Sequence, residues 1–348
     1  MLIKQIRTPS PLVLRTLPFL ARYYRYAFQT PGTRTSELLL YAPLRKLFPA
    51  FRKLGLLPHA GVFDYDRLGK TVQIRFDANN LQFQALYSRV YEHGYEQELG
   101  LLIDCLLPED GILYDIGSNW GYFTLYAAST RSKVGIHAFE PFPRTHSDLK
   151  SCVEQAGIAD LVTRHEFALA DTDGESFIEI PDGLHSGIAE LTSNSSALRI
   201  ITKRLDSLQL PPPDFIKMDV EGHEASVLRG GLNTLKSSWP YLVFENTRSY
   251  AIPARTLEPL HILQDLGYRF FVPTVQQSYA GKDYFVPCGW QMELQHAQPI
   301  SDNACLGLAP FEASNRFLYQ HDLNVFACHE SKLSQLRLSF EDWPPPRD

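Results

Sequence analysis

Between residues 108 and 275 the apolar positions fall into short runs that alternate with longer amphipathic stretches. "GILYDIG" (111–117), "VGIHAFE" (134–140), "LVTRHEFAL" (161–169), "DFIKMDV" (214–220), "YLVFE" (241–245) and "YRFFVP" (268–273) are brief and rich in β-formers. They predict buried strands. "YFTLYAAST", "RTHSDLKSCVEQAG", "EASVLRGGLNTLKSS" and "RTLEPLHILQDLG" separate them and predict helices. Strands alternating with helices of 10–15 residues imply a parallel, doubly wound α/β sheet covered on both faces. Upstream, "TVQIRF" (71–76) alternates as a strand with one wet face, and "YEQELGLLIDCLL" (95–107) predicts a helix stopped by Pro108. "ESFIEI" predicts an extra antiparallel strand, and 181–197 a polar loop. Residues 276–348 lose the rhythm.

Composition adds bounds. The 348 residues are 44% hydrophobic and 21% charged, values of a globular chain. Five scattered cysteines (Cys105, Cys152, Cys288, Cys305, Cys328) never form C-x-x-C. That argues against a disulfide framework or structural zinc and fits a reducing compartment. Residues 1–60 carry ten Lys/Arg against one acid, Glu37, a net +9; the overall −6 therefore leaves −15 on residues 61–348. This basic, aromatic arm ("LARYYRYAF", "LRKLFPAFRKLGLL") reads most simply as an amphipathic helical extension packed on the body. Docking on a membrane surface is the alternative, and nucleic acid is not an expected partner. No apolar run reaches the ~18 residues of a membrane span. The expected location is cytoplasmic, peripheral to the membrane if the arm docks there. The expected organisation is a basic helical extension (1–70), the α/β domain (71–275) and a C-terminal extension packing on it (276–348).

Ligands of such sheets bind at the carboxyl ends of the strands, where strand order reverses. Acidic residues occupy those ends. Asp115 precedes the glycine pair Gly117 and Gly121, Glu140 follows 19 residues later, and Asp219 ends the fourth strand. An acid about 20 residues beyond a glycine loop can accept hydrogen bonds from a ribose diol. A dinucleotide loop needs G-x-G-x-x-G, but Ser118 and Asn119 stand where a pyrophosphate would approach. The spacing favours S-adenosylmethionine over NAD, with Asp115 placed to orient an amino group. "GSNWG" is no nucleophile elbow, because Asn119 takes the serine position; "HEASV" lacks the second histidine of a zinc protease, and no Walker A sequence occurs.

These residues resemble the FkbM-type family of S-adenosylmethionine-dependent methyltransferases. The resemblance is carried by "YEHGYEQEL", "LLPEDGILYDIGSNWGYFTLYAA", "AFEPFP", "ALAD" and "FIKMDVEGHEASVLRGG", over roughly residues 71–275. Ser118 replaces the family's usual alanine, and Trp120 is bulkier than the usual aliphatic, so a narrowed pocket mouth is expected. The resemblance implies a class I methyltransferase fold and methyl transfer to a hydroxyl of a sugar, glycoconjugate or secondary metabolite. It implies cofactor contacts at Asp115, Gly117, Ser118, Asn119, Gly121, Glu140, Pro141, Ala168, Leu169 and Asp219. A small-molecule or glycan acceptor is the expected partner. Asp219, Glu221 and His223 are the candidates for the base that removes the acceptor proton. The same group could hold a divalent ion, although metal-independent transfer is favoured. An NAD(P)-dependent oxidoreductase and a non-catalytic adenosyl-ligand-binding protein remain the alternatives.

Overall fold

The computed structural model describes residues 1–5, 10–16, 54, 60–77, 80–87, 95–179, 190–192, 198–279, 282–287 and 305–342. Its first strands are β1 (Leu2–Gln5), β2 (Leu12–Thr16), β3 (Ala60–Arg67) and β4 (Lys70–Asp77). Helix α1 (Gln97–Leu106) leads into β5 (Ile112–Ile116), α2 (Tyr122–Thr130), β6 (Gly135–Phe139), α3 (Pro143–Gln155) and β7 (Val162–His165). A small sheet intervenes, built from β8 (Ala168–Leu169), β9 (Gly174–Glu179), β10 (Glu190–Thr192) and β11 (Leu198–Lys203). The main sheet resumes with β12 (Phe215–Met218), followed by α4 (Glu224–Gly230), α5 (Leu232–Ser238) and β13 (Tyr241–Asn246). Then come α6 (Pro253–Asp265), β14 (Tyr268–Tyr279), β15 (Lys282–Pro287), β16 (Cys305–Phe311), β17 (Leu323–His329), α7 (Leu333–Ser339) and β18 (Glu341–Asp342).

The large sheet runs β18-β1-β16-β14-β17-β13-β12-β5-β6-β7, with β15 on the side of β14. From β7 to β13 every pairing is parallel, whereas β17 lies antiparallel to both β13 and β14. This is the strand order of a class I methyltransferase. The chain winds outward from β5 through β6 to β7, then returns to β12 on the other side of β5. The carboxyl ends of β5 and β12 therefore flank the crevice where strand order reverses.

Burial explains why the short runs become strands. Neighbouring residues serve opposite faces: Leu113, Phe215 and Val243 join one core cluster, and Tyr114, Ile216 and Leu242 the other. Helices α1, α2 and α3 cover the first face with Leu102, Phe123, Leu125 and Leu149; α4 and α6 cover the second with Val227, Leu228, Leu260 and Leu263.

Several expectations change. The described parts of residues 1–70 are strands rather than helices, and "LARYYRYAF" and almost all of "LRKLFPAFRKLGLL" lie outside the described residues. The predicted third strand divides into β7 and β8, and the helix after β12 breaks at Gly231 into α4 and α5. At the end of α4 the backbone packs closely on β8, since a Cβ on Gly230 would sit 2.0 Å from the carbonyl oxygen of Ala170. Strand β17, from the region expected to pack on the domain, inserts into the main sheet itself. Among the described residues no helix is long and apolar enough to cross a membrane.

Candidate functional site

Two turns leave the ends of β5 and β12. The first contains Gly117 (φ 70°), Asn119 (φ 52°) and Gly121 (φ 94°), all left-handed. The Gly117 and Ser118 N–H groups both donate to the Phe139 carbonyl at 3.0 Å, which ties the loop to the end of β6. Glycine is required at 117, because a Cβ there would fall 1.8 Å from the carbonyl oxygen of Asp219. The two turns are therefore in backbone contact.

Glu140 is buried behind the first turn. Its Oε2 accepts from Asn119 N at 3.0 Å and its Oε1 from Phe142 N at 2.9 Å. Burial raises its pKa to about 7, with those two hydrogen bonds opposing the shift. Each oxygen keeps a lone pair beyond the one backbone donor, which fits acceptance from a diol. Pro141 continues from Glu140 at intermediate exposure. Ala168 and Leu169 are buried in β8, with Ala168 against Phe142 and Ile200. Ser118 is buried, its hydroxyl 3.4 Å from the Phe139 carbonyl oxygen. Asp115 is fully buried, accepting from Thr124 Oγ1 at 2.7 Å through Oδ2. Burial is the main cause raising the Asp115 pKa, opposed first by Lys217.

Trp120 does not narrow a pocket mouth. It is buried in the core, stacked on Phe83 at 4.5 Å and edge-on to Phe63, and its indole N–H donates to Gln82 O. A ring this apolar turns inward where Phe63 on β3 and Phe83 beyond β4 offer aromatic partners.

The second turn carries carboxylates. Glu221 (φ 52°) and Gly222 (φ 88°) reverse the chain, and Arg255 donates to both of their carbonyls. His223 caps α4, and its backbone N–H donates to Val220 O. One oxygen each from Asp219, Glu221 and Glu245 lies within 4.8 Å of the others, a set able to hold a divalent ion. His223 is not in that set. The structure thus brings Asp219 and Glu221 together and gives them Glu245, from the end of β13, as the third member.

Sequence reasoning passed over three residues here. Glu245 closes "YLVFE" as Asp219 closes "FIKMD", so strand-end position was the available signal. Glu96, in "YEQEL", stands before α1 and interacts electrostatically with Asp219 and Glu245. Burial, then Asp219 and Glu98, raise Glu96 to about 8, while Lys217 opposes. Burial, then Asp219, Glu96, Glu221 and Asp322, raise Glu245 to about 9. Lys217 on β12 is almost fully buried, with its Nζ 3.5 Å from Asp219 Oδ2 and 3.8 Å from Asp115 Oδ1. Burial pulls its pKa down, but Asp219, Asp115 and Glu96 together outweigh that and hold it above the usual lysine value. A charged residue in a strand that is otherwise apolar was the signal. A groove of about 870 Å³ lined by Tyr268, Phe270, Phe311 and Arg337 lies elsewhere, on the antiparallel half, and contains none of these residues.

Residues 115–270 match the family model of the methyltransferase FkbM domain. The chain is 33% identical over 145 residues to a hexuronic acid methyltransferase, AglP, of Haloferax volcanii, covering 41% of this chain and 59% of that one. It is 27% identical over 182 residues to the 2-O-methyltransferase NoeI of Sinorhizobium fredii, covering 45% and 73%. The match thus spans little more than half the length of the former. Among solved structures, it is similar to a methyltransferase FkbM of Methylobacillus flagellatus, with TM-score 0.34, 16% identity, and 77% and 60% of the two chains covered. The matched segment begins at Asp115, before the glycine turn, and ends within β14, enclosing both turns. Through residues 115–270 this chain is similar to the methyltransferase FkbM domain.

Proposed function

We propose that the protein transfers a methyl group from S-adenosylmethionine to a hydroxyl oxygen of a sugar, glycoconjugate or related secondary metabolite. The observation that carries this reading is the contact between a neutral glycine turn and a carboxylate turn at the strand-order reversal. The relatives' names, a hexuronic acid methyltransferase and a 2-O-methyltransferase, support a carbohydrate acceptor.

In this reading the cofactor rests against Gly117, Ser118, Asn119 and Gly121. Glu140 accepts its ribose hydroxyls, while Pro141, Ala168 and Leu169 border the adenine side. Asp115 serves its amino acid end, and Asp219 borders the transferable methyl. S-adenosylmethionine supplies an electrophilic methyl carbon, whose bond to sulfur breaks as the new bond to oxygen forms. Asp219, about a third exposed at the strand end, takes the hydroxyl proton. Glu221 and Glu245 hold neighbouring hydroxyls and fix the attacking oxygen in line. His223, at the start of α4, is the alternative base. Lys217 already places a positive charge beside Asp219, which supports metal-independent transfer.

The test is methyl transfer from radiolabelled S-adenosylmethionine into carbohydrate fractions. Label in a glycan or small polyol, lost in Asp219→Asn, is the expected result. Label that enters only protein or nucleic acid would refute the acceptor class.

A further inference from the structure

We propose that Lys217 is a positioning residue that fixes the glycine turn and the carboxylate turn to each other; the inference rests on the methyltransferase reading of the two turns. The ammonium donates to the Gly117 carbonyl at 3.1 Å, which holds the first turn. It also faces Asp219 at 3.5 Å and Asp115 at 3.8 Å, and it lies 5.4 Å from the Phe123 ring. Lys217 pairs in register with Asp115 across β5 and β12, so one side chain bridges both strand ends at the crevice. The charged groups facing it are Asp115, Asp219 and Glu96.

The apolar pattern of the strand does not call for this residue. Its neighbours Phe215, Ile216 and Met218 are buried and apolar. Desolvating a lysine and an aspartate is costly, so a buried pair is weak evidence for stability and better evidence for a fixed arrangement. What the lysine fixes is specific. Asp115 Oδ1 has no hydrogen-bond partner among the described residues, so its charge is balanced through the ammonium. Asp219 Oδ2 is held by the same ammonium at 3.5 Å. Moving the lysine would free the loop carbonyl and let Asp219 swing relative to the cofactor turn.

Titration calorimetry with S-adenosylhomocysteine tests this on wild type, Lys217→Met, Asp219→Asn and the double variant. Lys217→Met should weaken binding at least tenfold, and adding Asp219→Asn should recover fivefold or more by removing a carboxylate left without its counter-ion. A residue that merely filled space would give additive losses and no recovery, which would overturn the proposal. So would Lys217→Met binding as tightly as wild type. Should Lys217→Met fail to fold, nitrogen-detected magnetic resonance of the wild-type lysine ammonium groups decides. The Lys217 signal should shift on adding S-adenosylhomocysteine, and an unmoved signal would overturn the proposal. No binding by wild type would instead refute the cofactor reading itself.

Discussion

The turns after β5 and β12 have similar backbones and opposite chemistry. Both place a non-glycine residue in left-handed conformation, Asn119 and Glu221, beside glycines at positive φ. The first turn is neutral, and its N–H groups are committed to the Phe139 carbonyl and the Glu140 carboxylate. The second carries Asp219 and Glu221, gathers Glu245, and is braced from outside by Arg255. A neutral, internally tied turn suits holding a ligand; a turn crowded with carboxylates suits moving a proton. The fold supplies the same reversal twice, and the proposed roles differ through the side chains it carries.

The largest effect should come from the contact between the turns. Gly117→Val drives a Cβ into the Asp219 carbonyl oxygen, a collision of backbone rather than of a flexible tip. A loss above about 3 kcal/mol is expected for such strain, enough to weaken S-adenosylhomocysteine binding more than about a hundredfold. Retained affinity in calorimetry would break the claim that the turns touch.

Next comes the division of labour. Asp219→Asn should lower turnover by about 10²–10⁴, the range of general-base catalysis, while cofactor affinity changes little. His223→Ala in the same assay should leave most of the activity. If it instead removes most of the activity, the imidazole is the base.

Glu140→Ala should weaken S-adenosylhomocysteine by roughly tenfold to several hundredfold, from charge-assisted hydrogen bonds worth about 1.5–3 kcal/mol each. Turnover at saturating cofactor should fall far less. The opposite split would exchange the roles of the two turns.

The smallest effect concerns pH. Glu140, Glu96 and Glu245 have pKa values raised to about 7, 8 and 9, all above the unfolded carboxyl value. The folded state therefore binds more protons than the unfolded state between those limits, and stability falls as pH rises. Melting temperature should drop from pH 5 to pH 9, and Glu245→Gln should flatten the upper part of that slope. A melting temperature that rises over the window would contradict the burial of these three carboxyls.

The sheet was legible because β5, β6, β12 and β13 are compact apolar runs whose burial on both faces leaves little ambiguity. The position of the glycine turn and of Asp219 was legible for a related reason: each directly follows one of those apolar runs. Lys217 and Glu245 were harder, because a single charge in an apolar run gives no hint of what faces it across the sheet. Trp120 misled for the converse reason, since an aromatic beside a glycine loop can face either way until Phe83 and Phe63 are placed. The insertion of β17 between β13 and β14 depends on pairing across a long stretch of chain, which local periodicity does not encode.

Titration of the wild-type protein with S-adenosylhomocysteine and, separately, with NAD most directly tests the central claim that the first turn is a cofactor cradle without a phosphate site. The account predicts saturable binding of S-adenosylhomocysteine that Glu140→Ala weakens, and no binding of NAD. Binding of NAD with no response to S-adenosylhomocysteine would contradict it.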